Sequence, residues 1–254
     1  MLATYALAIT LGRCNFGHLN LALLLVAISG LGLFVFSQAR AAPPLIPLAM
    51  FHDPARSAGL AMGMLVSTVM MATLVVGPFY LSGALGLGAA VVGLVMSVGP
   101  LVVALTGVPA GRLVDHLGAW RMTVLGLLAL TAGSSMLSML PATRGVPSYL
   151  TPLVVITLGY GRFQTANNTA IMQEIRQEQR GVISGVLNLS RNLGLISGTA
   201  VMGTVFALAA GIRATAAARP EDVAGGMQAT FAVAATLLVV ALVVASTNRL
   251  VAGR

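Results

Sequence analysis

Residues 111–121 read Gly111-Arg112-Leu113-Val114-Asp115-His116-Leu117-Gly118-Ala119-Trp120-Arg121, a short charged stretch between two long apolar runs. Asp115 is the only acid between Asp53 and Glu174, so a lone carboxylate stands where two apolar helices turn around. Gly111 and Gly118 bracket it, and glycine tolerates the tight backbone and close helix approach that such a corner needs. The rest of the chain reads as a frame holding corners of this kind at one face of a membrane.

Composition supports that frame. Of 254 residues, 57% are hydrophobic and 8% are charged, against roughly 25% charged in a soluble domain. The basic residues are all arginine and stand singly in the sequence, which argues against nucleic acid as a partner and for orientation in a lipid bilayer. Cys14 is the single cysteine, so an internal disulfide is ruled out, and no Cys/His cluster has metal-ligand spacing. Soluble-enzyme motifs and Walker-type loops are absent from the sequence. The chain is expected to be neither an enzyme nor an ATP-driven pump, and to need no cofactor.

Met1–Leu11 is apolar, without the basic start and cleavage site of a signal peptide. It is also shorter than the roughly 20 residues a spanning helix requires, so residues 1–12 read as the stub of a partial linker helix. Seven longer apolar segments follow: Leu19–Ser37, Ala58–Leu81, Ala89–Ala110, Trp120–Leu140, Tyr149–Ile171, Val182–Ala210 and Met227–Ser246. Each is long enough to cross a bilayer as a helix, and the alternation of a membrane barrel is absent. The expected fold is therefore all-α, a polytopic membrane helical bundle.

Arginine placement predicts its orientation. Arg40, Arg56, Arg112, Arg121, Arg176, Arg180, Arg249 and Arg254 fall on one side, and Arg13, Arg144, Arg213 and Arg219 on the other. The richer side is cytoplasmic by the positive-inside rule, which puts the Gly111 corner and the carboxyl terminus inside a multi-pass plasma (inner) membrane protein. Ala41–Ser57 carries four prolines among apolar and ionisable residues and reads as a kinked interfacial connector. Residues 13–57 thus form a linker helix with its connector, and residues 58–254 a six-helix bundle. The pairs Gly59/Gly63, Gly107/Gly111, Gly181/Gly185 and Gly194/Gly198 suit close helix packing.

Polar groups within apolar spans are the sharpest pointers to function, because charge at the bilayer centre is costly. Arg162 lies in Gly-Tyr-Gly-Arg-Phe-Gln-Thr-Ala-Asn-Asn (159–168), accompanied by Gln164, Asn167 and Asn168. Arg191 shares helical spacing with Ser184, Asn188 and Gly198. These faces either line a water-filled cavity or let two arginines snorkel toward headgroups. Every Asp, Glu and His falls outside the spans or at their ends, so no residue here is an obvious proton carrier. The charges in Glu174–Arg180 read as a solvated turn of local ion pairs worth little each.

The pattern Gly-x-Leu-x-Asp-x-x-Gly-x-x-Arg, formed by Gly111, Leu113, Asp115, Gly118 and Arg121, resembles the cytoplasmic loop motif of the major facilitator superfamily. In that family it lies between the second and third helices of each six-helix half. Gly159–Asn168 and Arg180–Gly194 are similar to the carboxyl-terminal half of its fourteen-helix drug:proton antiporter branch. Two departures stand out: Arg162 occupies a place where relatives carry a small or apolar residue, and His116 replaces an arginine. The resemblance implies one six-helix half plus a linker helix, and proton-coupled efflux of small amphipathic or cationic drugs by alternating access. It implies a small-molecule substrate and protons as partners, together with an amino-terminal half that the sequence does not contain. Gly111, Arg112, Asp115, Gly118 and Arg121 would be its gating loop. Asp115 would either latch that face or accept from free N–H groups at the start of the following helix. Arg162, Gln164, Asn167, Asn168, Asn188 and Arg191 would line the cavity. A different reading is a truncated remnant without transport activity that inserts and packs against another membrane protein.

Overall fold

The helices take their bounds from capping and glycine as much as from hydropathy. The computed structural model describes Ser29 and residues 53–141, 145–173, 175–211 and 219–252. The stub, the first span apart from Ser29, and most of the proline connector lie outside the described residues. α1 runs Pro54–Phe79 and passes into a single π turn, Tyr80–Ala84. It starts four residues before the apolar pattern because Asp53 accepts a hydrogen bond from Ala55 N–H at 3.0 Å and Pro54 fills the first turn. Arg56 Nε sits 3.1 Å from Asp53 Oδ2 and completes the cap. The end of the connector is thus helix.

α2 is Ala89–Leu117, α3 Ala119–Ser138, α4 Val146–Met172, α5 Arg180–Ala209 and α6 Pro220–Ala252. The six-helix unit expected from the apolar segments is present. Four of these helices, α1, α2, α5 and α6, are long and apolar enough to cross a membrane by composition alone. α3 and α4, of 20 and 27 residues, are also long enough, but Arg121 and the Ser134-Ser135 pair dilute one, and Arg162 with its amides dilutes the other.

The most extensive helix pairs are α3 with α4 and α1 with α5; α6 packs on α1 and α3, and α2 leans mainly on α4. Close approach comes from glycine at both main seams. A Cβ on Gly194 would run into the Met64 carbonyl oxygen, and one on Gly198 would stand 2.6 Å from the Thr68 carbonyl oxygen. Across the other seam a Cβ on Gly126 would lie 2.6 Å from Phe163 N, and one on Gly159 would lie 2.8 Å from the Gly126 carbonyl oxygen. The small-residue spacing correctly marks Gly194/Gly198, whereas Gly107, Gly111, Gly181 and Gly185 face open space. Outward on α2 stand Leu94, Leu101 and Leu105, all more than half exposed, a surface that suits lipid and not water.

Several threonine hydroxyls of the helices are satisfied locally. Thr106, Thr123, Thr157 and Thr165 each donate to the carbonyl four residues back, the usual solution where no water competes. The turn before α5 is a 3-10 segment, Gln177–Gln179. Arg176, Glu178 and Arg180 are exposed there and form no ion pair with one another; Glu174, the other acid of the turn expected from this stretch, lies outside the described residues. Solvated side chains gain too little from pairing to hold one geometry.

Candidate functional site

The charged corner is shorter than its sequence suggests. α2 does not stop where its apolar run stops at Ala110; it continues as helix through Gly111, Arg112 and Asp115 to Leu117. Leaving the apolar layer does not end a helix, and the break comes only at Gly118, with φ +82. Gly118 is the single residue between α2 and α3: its N–H donates to the Val114 carbonyl at 2.9 Å, and its carbonyl accepts from Met122 N–H at 3.3 Å. Val114, Met122 and Ala166 bury together beneath the corner, which ties it to α4. Trp120 Nε1 donates to the Ala245 carbonyl at 3.4 Å, tying the start of α3 to α6.

Asp115 therefore sits in the last turn of α2, and the amino end of α3 has no side-chain cap. The expectation that Asp115 caps the following helix fails on this geometry. A carboxylate in a last turn opposes the helix dipole by a few tenths of a kcal/mol to about 1. Asp115, Arg112 and Arg121 are all exposed, and none forms an ion pair among the described residues.

The second candidate region lies along α1, α4 and α5. Asn167 Nδ2 donates to the Gly59 carbonyl at 3.1 Å, and Ser190 Oγ donates to the Leu60 carbonyl at 2.7 Å. Farther along, the Thr68 hydroxyl lies 3.0 Å from both the Met64 and the Gly194 carbonyl oxygens. Side chains of α4 and α5 thus grip successive carbonyls of α1. Arg191 Nη2 donates to Asn168 Oδ1 at 3.1 Å, closing the ring between α5 and α4. A cavity of about 10 Å³ lies inside this ring, lined among others by Ser67, Tyr160, Gln164, Asn168 and Arg191. That is room for roughly one water.

The structure brings together Gln164, Asn167, Asn168 and Arg191 from the sequence-derived set, and leaves out two. Arg162 is not on the cavity wall; two residues on from Tyr160 turn a helix by about 200°, which puts it across α4 from the amides. It is half-buried and has no polar partner among the described residues. Asn188 is exposed on α5, one turn before Asn192, whose amide donates to its carbonyl at 2.9 Å. Ser67, Tyr160 and Ser190 were not singled out from the sequence. The spacing 160, 164, 168 carries the signal for Tyr160, since residues four apart share a helix face. A larger cavity of about 600 Å³ opens where α1 and α3 begin and α4 ends, with Arg56, Trp120, Thr123 and Gln173 in its wall.

A sequence profile described as Major Facilitator Superfamily matches residues 19–199, more than half of the chain. Among curated relatives, the uncharacterized transporter YebQ of Escherichia coli (strain K12) is 30% identical over 179 residues, 70% of this chain and 39% of that protein. The multidrug transporter protein MdtP of Bacillus subtilis (strain 168) is 23% identical over 185 residues, 73% of this chain and 34% of its own length. The multidrug efflux pump LfrA of Mycolicibacterium smegmatis is 26% identical over 179 residues, 70% of this chain and 35% of that protein. The matched stretch thus covers between about a third and two-fifths of each of these relatives. The profile spans most of the all-helical bundle formed by the described residues, and the chain belongs to the Major Facilitator Superfamily.

Proposed function

We propose that the chain serves as the carboxyl-terminal six-helix half of a multidrug efflux transporter in the plasma membrane, exporting small amphipathic drugs against protons by alternating access. The observation that carries this reading is the polar ring of Asn167, Asn168, Ser190 and Arg191, built across α1, α4 and α5. Polar and charged groups are kept inside a membrane where a solute path needs them. Transporters of repeated architecture rock one half against the other around a site between them, so the described helices supply one wall. Proton coupling falls to the other half: the described acids Asp53, Asp115, Glu178, Glu221 and Asp222 stand at helix ends or in turns. The Gly118 corner faces the cytoplasm with the carboxyl terminus, as the arginine distribution supports.

Asp115 serves as a latch in this reading. It is kept at the unfavourable end of a helix dipole with no partner among the described residues, and a residue that breaks a local rule without compensation points to a role elsewhere.

The test is drug-dependent proton flux in inverted membrane vesicles carrying this chain, alone and together with the amino-terminal part of MdtP. Ethidium-driven alkalinisation in the paired vesicles supports the reading. Absence of flux in both preparations, with the chain shown to be inserted, overturns it.

A further inference from the structure

The geometry points to Arg191, Tyr160 and Gln164 as a subsite for the anionic group of an amphipathic solute, a carboxylate or a sulfonate. This rests on the transporter reading for its purpose, though not for its test.

Around the small cavity, Ser67 Oγ spends its hydrogen on the Gly63 carbonyl at 2.8 Å, and Ser190 Oγ spends its own on the Leu60 carbonyl at 2.7 Å. Asn167, 4% exposed, commits its amide nitrogen to Gly59. What remains is donor-rich. Arg191 carries five N–H groups, and its hydrogen-bond partner is the neutral oxygen of Asn168. Tyr160 O–H and the Gln164 amide line the same cavity and make no hydrogen bond among the described residues.

Charge points the same way. Arg191 is the twelfth residue of the 30-residue α5, so its Cα is about 16 Å from the helix start at 1.5 Å per residue. It is half-buried, and no carboxylate of the described residues lies within ion-pair distance. A guanidinium held off bulk water by neutral partners calls for an anion, because charge-assisted bonds are the strong ones in such a setting. The cavity admits no more than about one water. It can therefore take one oxygen of an acidic group, with the rest of the solute outside it.

The experiment is equilibrium dialysis of the full chain in nanodiscs against naphthalene-2-carboxylate and its neutral isostere naphthalene-2-carboxamide. The acid should bind saturably and about tenfold or more tighter than the amide, the yield of one or two charge-assisted hydrogen bonds. Arg191→Gln should reduce acid binding to the level of the amide, Arg191→Lys should keep part of the difference, and Arg162→Gln should leave it unchanged. Asn168→Asp supplies an internal carboxylate at the Arg191 contact and should abolish the preference while preserving the α4–α5 link, which keeps the test valid if Arg191→Gln misfolds. Equal binding of acid and amide by the unmodified chain overturns the proposal. So does an acid preference that survives Asn168→Asp or Arg191→Gln in helical, inserted protein. Because no transport is measured, an acid-selective chain that never transports refutes only the efflux reading.

Discussion

Asn167 of α4 reaches the carbonyl oxygen of Gly59 on α1, its amide nitrogen 3.1 Å away, in a position where only 4% of the residue is exposed. The contact depends on both residues: Gly59 has no side chain to hold α4 away, and a Cβ there would stand 3.1 Å from Asn167 Oδ1 and 2.8 Å from Ile171 Cδ1. One step along, Ser190 does the same from α5 to the Leu60 carbonyl. The start of α1 is therefore held by two neighbours at adjacent residues, and the walls of the polar ring cannot move independently of it.

Removing one grip should be measurable and modest. Asn167→Ala is expected to destabilise the bundle by about 1 kcal/mol, in line with interhelical hydrogen bonds in membranes. Ser190→Ala should cost a similar amount or less. The double variant should lose more than the sum, because both residues hold the same turn of α1. Helix content by circular dichroism during SDS titration reads all three; strict additivity would show that the two contacts act separately.

Glycines that look alike in sequence should differ sharply in sensitivity. Gly194→Ala sets a methyl against the Met64 carbonyl, a backbone group that cannot turn aside. Overpacking of this kind costs about 1–3 kcal/mol. Gly185→Ala meets nothing within 4 Å, and in a helix interior it should be neutral or stabilise by up to about 1 kcal/mol. The same SDS titration separates them, and equal effects would contradict the α1–α5 seam.

This contrast shows where sequence reading reaches its limit. Long apolar runs announce α1, α2, α5 and α6, since little but a membrane tolerates that much hydrophobic surface. The Gly-xxx-Gly spacing marks glycines on a shared helix face but not which face meets another helix, so Gly181/Gly185 and Gly194/Gly198 read the same. The seam at Gly126 and Gly159 is built from glycines on different helices, which no spacing within one segment reveals. Helix ends fail for another reason. Arg112 and Asp115 mark the exit from the apolar layer, whereas the helix itself ends at the positive φ of Gly118. In the polar ring, residue types were legible and partners were not: Arg162 and Arg191 look equivalent until helical rotation sends one into the ring and the other across α4.

Asp115→Asn separates latch from scaffold. The side chain is exposed in the last turn of α2 and caps nothing. Neutralising it relieves the unfavourable dipole interaction, so stability should hold or rise by a few tenths of a kcal/mol. Transport by the assembled two-half transporter should nevertheless fall at least tenfold if the carboxylate latches the gate. Drug-driven proton flux and SDS titration on the same preparation decide it; unchanged flux removes Asp115 from the mechanism.

Tyr149 gives a prediction of the opposite sign to most substitutions in a core. Its ring stacks on Tyr80 at 5.7 Å with a 28° tilt, and both side chains are fully buried. Neither hydroxyl has a partner among the described residues, and the Tyr149 oxygen fills the space beside Gly77, where a Cβ would collide with it. A buried hydroxyl left unmatched carries a desolvation cost of about 1–3 kcal/mol, while the ring supplies the packing. Tyr149→Phe keeps the ring and deletes the unmatched group, so it should leave stability unchanged or raise it by about 1 kcal/mol. Tyr149→Ala empties the site and should cost about 3–5 kcal/mol. If Tyr149→Phe instead destabilises the bundle by more than 1 kcal/mol in SDS titration, the hydroxyl has a partner beyond the described residues, and the start of α4 is held by a polar contact as well as by packing.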